Sequence, residues 1–292
     1  MSVVAISESL GSLGIEIGRA VAARLGYEVA EREIIGKAAD RFGADVSRLS
    51  HAAEEKPTLR ERFTTEQQRF ARYVEATVRE MAARDNVVLI GLSSTLILAD
   101  APHTLRVRIT APEPVRAARV ARELGLTPGA ALARVHESDR ERAGRVRFLY
   151  HVDWDDPLAH DLVINTDRTE VDGAAPLIEG ALQHARFQST EASRRAMTDQ
   201  SLVAQAEALL MADPVTRERA LTVTCADGVL SIGGRAEEWS VRRAVEQTLA
   251  GLPSLREVRL LAPAAIDGEG AGDADRELYG DSRRWGGFGR GR

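Results

Sequence analysis

Lysine is almost absent from this chain. Of its 39 basic residues only Lys37 and Lys56 are lysines and the remaining 37 are arginines, so chemistry that needs a positioned ammonium has two places to find one. Cysteine is scarcer still: Cys225 stands alone, which excludes an internal disulfide framework and a cysteine-cluster metal site. Positive charge is not in excess. The formal net charge is −5, which argues against a broadly basic nucleic-acid wrapper. No apolar run is long enough to span a bilayer. The longest, residues 87–99, is interrupted by Gly91, Ser93, Ser94 and Thr95 and falls short of the ~20 residues a transmembrane helix needs. It reads as a buried strand running into a helix. Residues 1–8 carry no basic n-region and meet an acid at Glu8, unlike a signal peptide, so a cytoplasmic location is expected. The six histidines, at positions 51, 103, 136, 151, 160 and 184, show no His-x-x-x-His pairing, and no metal ligands are expected among them.

What is present has globular proportions: 44% hydrophobic and 28% charged residues over 292 positions, a length for two domains. Val3-Val4-Ala5-Ile6 is a short β-branched run suited to a buried parallel strand. Gly11, Gly14 and Gly18 follow, and Ile17, Val21, Ala22 and Leu25 then recur at helical spacing until Gly26. Residues 28–85 read as helices, with Phe63, Phe70, Tyr73, Val74, Val78 and Met81 near 3.6-residue spacing. Residues 87–90, 105–109 and 162–165 are further strands. Pro112 and Pro114 fit a loop and the first turn of a helix that carries Arg116, Arg119 and Arg122. An arginine-dense segment follows, with Arg134, Arg140, Arg142, Arg145 and Arg147, and a helix spans about 174–186. Strands alternating with helices predict an α/β domain over 1–187, a parallel sheet flanked by helices.

Residues 188–199 are polar without an apolar face and read as a linker, extended or partly helical. From 200 to 263 the pattern changes to a small α+β module of order αββαβ. It comprises a helix with Leu202, Ala206, Leu209 and Leu210, a strand around Leu221, Val223 and Cys225, and an Asp227-Gly228 hairpin turn. A return strand, an amphipathic helix over 237–252 with Trp239, Val241, Ala244, Val245 and Leu249 on its apolar side, and a last strand complete it. Cys225 alternates inward as an inert buried thiol. Residues 264–292 form a Gly-, Asp- and Arg-rich tail that cannot build a core and is expected to be disordered. Its arginine-plus-aromatic composition is the one feature suited to RNA, against a plain solvated tail.

Several motifs run in order over residues 1–186. They are Ile6-Ser7 with Leu10-Gly11-Ser12-Leu13-Gly14-Ile15-Glu16-Ile17-Gly18-Arg19, Leu25-Gly26-Tyr27, and Glu31-Arg32-Glu33-Ile34-Ile35. Val88-Leu89-Ile90-Gly91, Leu105-Arg106-Val107, Asp139-Arg140-Glu141-Arg142, Asp153-Trp154-Asp155-Asp156-Pro157 and Asp161-Leu162-Val163-Ile164-Asn165-Thr166 follow. The series resembles the cytidylate-kinase-like family, a branch of the P-loop nucleoside monophosphate kinases. Residues 200–262 resemble a BON domain, a module associated with phospholipid surfaces or protein partners. Together they look like a bacterial cytidylate-kinase-like protein with an appended module. The resemblance implies a P-loop kinase fold, a nucleotide ligand, and ATP with Mg as cofactors.

A working P-loop needs glycines that let N–H groups curl around phosphates, a lysine that bridges them, and a Ser/Thr hydroxyl on Mg²⁺. Registered on the family, Gly14 stands where the lysine would be, and Ile15 and Glu16 fall at the hydroxyl positions. Neither Lys37 nor Lys56 follows a glycine loop. The family's own loop usually lacks the lysine but carries an arginine; here Ile15 takes that arginine's place and Leu13 that of a glycine. The family's Gly-Arg-Gly after the second long strand is Gly91-Leu92-Ser93. What is left is Gly11, Ser12 and Gly14 at a helix N-terminus, either a phosphate cradle or merely a tight strand–helix turn. Glu16 opposes an anion there. By resemblance Asp139 and Arg142 are the lid's catalytic pair with Arg145 assisting on phosphate, and Arg32 touches the acceptor nucleotide. The plainer alternatives are a solvated arginine face and a surface Arg–Glu pair. Three functions stay open: a degenerate kinase that binds a nucleotide or phosphate, with the BON-like module reading that state; an active CMP-type kinase that uses lid arginines and Mg; and a scaffold docking a protein partner or membrane surface.

Overall fold

Val3 to Ile6 are apolar on both sides of the pleat, and a strand of that kind must be covered on both faces. It is the central strand of a five-stranded sheet. In the computed structural model, which describes residues 1–54, 65–234, 236 and 238–261, β1 (Val3–Glu8) lies between β3 (Val87–Ile90) and β4 (Thr104–Thr110). β2 (Glu28–Ala30) pairs outside β3, and β5 (Leu162–Asn165) outside β4. All pairings are parallel and the order is β2-β3-β1-β4-β5. The register sets Ser7 beside Arg108 and Glu8 beside Ile109.

One face of the sheet is covered by α1 (Gly14–Leu25) and α8 (Thr166–Leu182), through Ile17, Val21 and Ile178 on Val4, Ile6 and Val107. The other is covered by α2 (Glu33–Phe42), α3 (Val46–Glu54) and α4 (Thr65–Ala82). The short α5 (Ser94–Ile97) follows β3. α6 (Glu113–Leu124) and α7 (Pro128–Tyr150) pair through Ala117, Val120, Ala131 and Val135 beside the carboxyl ends of the strands. The parallel, helix-flanked sheet is therefore as expected. Residues 28–30 differ: they form strand β2, with the N–H of Glu28 donating to the Asn86 carbonyl, where helix was expected. Three residues are too few for periodicity to show. The expected helical position of Phe63 lies outside the described residues.

The segment expected as a linker, extended or partly helical, holds the start of a long helix. α9 (Glu191–Ala212) begins inside it, with a capping box in which Thr190 and Ser193 satisfy each other's backbone N–H. Its apolar side chains divide between two cores. Met197, Ala204 and Ala208 pack with α4 against the first sheet's layer, while Leu202, Ala206 and Leu210 enter a second core. That second core belongs to β6 (Thr222–Ala226), β7 (Val229–Gly233), α10 (Trp239–Leu249) and β8 (Glu257–Leu260). β6 and β7 are antiparallel, β7 and β8 parallel, so the order is αββαβ as predicted. The hairpin turns at Asp227 (φ 51°) and Gly228 (φ 77°), the left-handed pair an Asp-Gly turn provides.

Trp239 does not face the core. It is 73% exposed in the first turn of α10, with the Arg243 guanidinium 5.5 Å from its ring centre. Cys225 is half-buried and its thiol donates to Asp199 Oδ1 at 3.3 Å; burial and then this carboxylate push its pKa up to about 12. Among the described residues no helix is long and apolar enough to cross a membrane. The expected disordered tail lies outside them.

A helix that serves two cores ties their unfolding together. Leu202→Ala, a cavity in the second core, is expected to cost about 2–5 kcal/mol. Urea transitions reported separately by Trp154 and Trp239, in single-tryptophan variants, should both move to lower midpoints. A shift seen only at Trp239 would show that the two units unfold independently.

Candidate functional site

β1 ends at Glu8, and residues 9–13 carry the chain over the sheet's edge into α1. The turn is tight. The N–H of Ser9 donates to the Ile109 carbonyl (3.1 Å) and that of Ser12 to the Ser9 carbonyl (3.0 Å). Gly11 has φ 75°, and a Cβ there would lie 2.7 Å from the Arg116 carbonyl oxygen, so no other residue fits. Leu13 is also left-handed (φ 65°), a conformation that costs a side-chain-bearing residue about 1–2 kcal/mol. α1 starts without a side-chain cap, so the first-turn N–H groups of residues 14–16 lack helical partners at the positive end of the dipole. Ser12 is fully buried, and its Oγ has no hydrogen-bond partner among the described residues.

Three arginines hold the loop by its carbonyl groups. Arg116, buried on α6, donates to the carbonyls of Ala111 (2.9 Å) and Leu10 (3.4 Å) and grips Asp139 with both terminal nitrogens (3.0 and 2.7 Å). Arg119, one turn on, donates to the Gly11 carbonyl (3.2 Å), the Thr166 hydroxyl (2.9 Å) and the Thr166 carbonyl (2.8 Å). The Thr166 hydroxyl donates in turn to the Ser12 carbonyl (2.9 Å). Arg142, on α7, donates to the Glu8 carbonyl and lies 2.8 Å from the Glu8 carboxylate.

Glu8 also controls position 14. A Cβ built on Gly14 would fall 2.3 Å from Glu8 Cβ and 2.9 Å from Glu8 Cγ. The place where a P-loop side chain would leave α1 is therefore filled by the Glu8 methylenes. Below the loop, Trp154 donates from Nε1 to the Ser7 hydroxyl (3.1 Å). Arg108 stacks 3.9 Å over its ring, with Arg142 at 6.0 Å. Burial draws the Arg108 guanidinium below the ordinary arginine range, partly offset by Asp155 at 3.2 Å.

Of the residues singled out in sequence, Gly11, Ser12, Gly14, Asp139 and Arg142 meet here. Asp139 faces Arg116. Arg145 is buried further along α7, beside Tyr150 in a small cavity with Phe70, Val74, Leu92 and Ser93. Arg32 follows β2, two strands from β1 and thus about 10 Å from the loop in the sheet direction. Its neighbour Glu31 is held by Arg19 (2.8 and 2.9 Å). Sequence reasoning gave no role to Glu8, Arg108, Arg116 or Arg119. The spacing of Arg116 and Arg119, three apart on one helix, is the signal that could have found the braces.

The loop's amides fit a phosphate. Magnesium fits less well, because Ile15 offers no oxygen where a P-loop hydroxyl would stand. Among the described residues no group of three or more His, Cys, Asp or Glu side chains gathers as a metal site.

The model of the cytidylate kinase-like family matches residues 3–168. The chain is similar to the cytidylate kinase of Pyrococcus furiosus, 32% identical over 113 residues, covering 39% of this chain and 58% of the relative. It thus spans less than two thirds of that relative's length. It is also similar to the cytidylate kinase of Methanopyrus kandleri, 27% identical over 189 residues, covering 62% of this chain and 92% of the relative. Among solved structures it resembles a shikimate kinase from Bacteroides thetaiotaomicron, with 13% identity, a TM-score of 0.40, and 63% and 99% of the two chains covered.

The electrostatics beside Trp154 carry a pH signature. His160 is held down to about 4 by burial, then by Arg108 and Arg106. Its unfolded value is about 6.5, so between the two the unfolded chain binds more protons and stability rises with pH. The contribution is complete above about pH 6.5 and is lost as the pH falls toward 4, of the order of 1–3 kcal/mol. Thermal melts from pH 4 to 7 should show this acid slope reduced in His160→Gln; an unchanged slope would assign the loss to other groups.

Proposed function

We propose, from the premise that this chain belongs to the cytidylate kinase-like family, that it binds the phosphates of a nucleotide at the residue 9–16 loop without sustaining phosphoryl transfer. The C-terminal module then reads the occupied state. The observation that carries this reading is the pairing of a preserved loop with a filled lysine position: β1, turn and uncapped α1 are held in place, while Glu8 occupies the space over Gly14.

The physical case has two halves. Binding an anion needs oriented N–H groups and a favourable field, and the start of α1 supplies both. Arg119 adds to the field, because its described hydrogen-bond partners, Gly11, Thr166 and the Thr166 carbonyl, are neutral groups that leave its charge uncancelled. Transfer asks for more, namely cations placed on the charge that develops between donor and acceptor. No loop lysine is present, and Arg142, which matches the family's lid pattern, is bonded to Glu8.

The αββαβ order of the C-terminal unit agrees with a BON-like module, whose partner would be a protein or a phospholipid surface. α9 supports a relay, because it packs into the cores of both units. The same feature supports a scaffold as the second reading.

The test uses the whole chain, since ending it near 190 would strip α9 from α4. Mg·ATP titrated in a calorimeter is expected to give heat with about one site per chain, and CMP phosphorylation to stay at background. Turnover that disappears in Arg142→Ala would establish an active kinase instead. Absence of heat at millimolar ATP would leave the scaffold.

A further inference from the structure

We propose that Glu8 is an internal anion that stands in for a ligand phosphate: it holds Arg142 and covers Gly14, and a di- or triphosphate enters the loop only by displacing it. This deepens the reading above and rests on the loop being the phosphate site.

Glu8 is the last residue of β1, so its backbone is fixed by the central strand. Its side chain is largely buried, and its carboxylate sits 2.8 Å from Arg142 Nη1, which also donates to the Glu8 carbonyl. A carboxylate and a phosphate oxygen accept from the same guanidinium donors, so the two compete for one partner. Of its neighbours on α7, Arg140 donates to the His136 carbonyl in its own helix, and Arg145 lies beside Tyr150. Arg142 is thus the lid-pattern cation already at the loop.

The second half concerns space. The Glu8 Cβ and Cγ lie against the bare Cα of Gly14, at the amides that begin α1. On this proposal an anion approaching those amides meets Glu8, whose methylenes fill the space over Gly14 and whose carboxylate adds a like charge. Once Glu8 swings aside, glycine at position 14 lets a phosphate approach the backbone more closely than any side chain would allow. Gly14 is a departure from an ordinary P-loop, and its contact with Glu8 is the structural counterpart of that departure.

Inorganic pyrophosphate and Mg·ATP, titrated calorimetrically into the full chain, test this. Glu8→Gln keeps the methylenes and removes the charge; Glu8→Ala removes both. Glu8→Gln is expected to bind pyrophosphate about tenfold more tightly than the parent, and Glu8→Ala more tightly still. In Glu8→Ala/Arg142→Ala the share of the gain that acts through Arg142 should be lost, leaving only the share that comes from clearing the space at Gly14. Unchanged or weaker binding by Glu8→Gln, with parental circular dichroism and melting temperature, overturns the proposal. Should Glu8→Ala fail to fold, Glu8→Gln decides. The parent's own affinity judges the site and the variant-to-parent ratio judges Glu8. A binding parent with an unchanged ratio removes only the Glu8 proposal. A silent parent with responsive variants supports Glu8 and overturns occupancy of the native loop, and silence throughout overturns both.

Discussion

A guanidinium buried as deeply as that of Arg116 must find partners for its donors, and much of the site follows from where it finds them. Two are carbonyls, one at the end of β4 and one in the glycine loop, and the third is the Asp139 carboxylate on α7. Those bonds join β4, the loop, α6 and α7 at one point. Removing Asp139 alone would leave an uncompensated buried charge, a change worth about 3–5 kcal/mol. Asp139 is thereby tied to the loop's foundation through Arg116. The backbone of Gly11 closes on the same residue, its Cα packed against the Arg116 carbonyl.

The second constraint is α9. Ion pairs cross its seam with α4, such as Arg72 with Glu207 at 3.3 Å, but part-exposed pairs of this kind contribute little, about 0–1 kcal/mol each. Coupling between the two units rests instead on Met197, Ala204 and Ala208, small or pliable side chains that let two helices approach closely. α4 runs from this seam to the turn before β3, while its Phe70 and Val74 line the small cavity beside Arg145. The α4–α9 pair therefore reaches both the cavity beside Arg145 and the C-terminal module.

The sequence was readable where the signal is local. β1, the glycine turn, α1 and the Asp227-Gly228 hairpin each declare themselves within a few residues. α9 declared only its C-terminal half, through Leu202, Ala206, Leu209 and Leu210; its apolar positions serve two cores, so its first turns show no single face and looked like a polar linker. β2 is three residues long and is defined by its neighbour β3. The site was half legible. Glycine positions and the missing lysine can be read from the chain directly. That Arg142 would meet Glu8, 134 residues away, or that Arg116 would capture Asp139, depends on packing that no window of sequence contains.

The shortage of lysine and the architecture of the loop are connected. An ammonium is a compact point charge on a flexible stem, suited to following a moving phosphoryl group. A guanidinium is a planar fork of five donors, always charged, suited to tying several fixed acceptors at once. In this chain the cations around the loop are arginines, and they are engaged in that way: Arg116, Arg119 and Arg142 each donate to a main-chain carbonyl of residues 8–11. Bonds of that kind hold the loop's amides in a fixed arrangement before any ligand arrives, which favours binding through preorganisation. They also commit these cations to acceptors within the protein. On the reading proposed above, such a site holds a phosphate rather than passing one on.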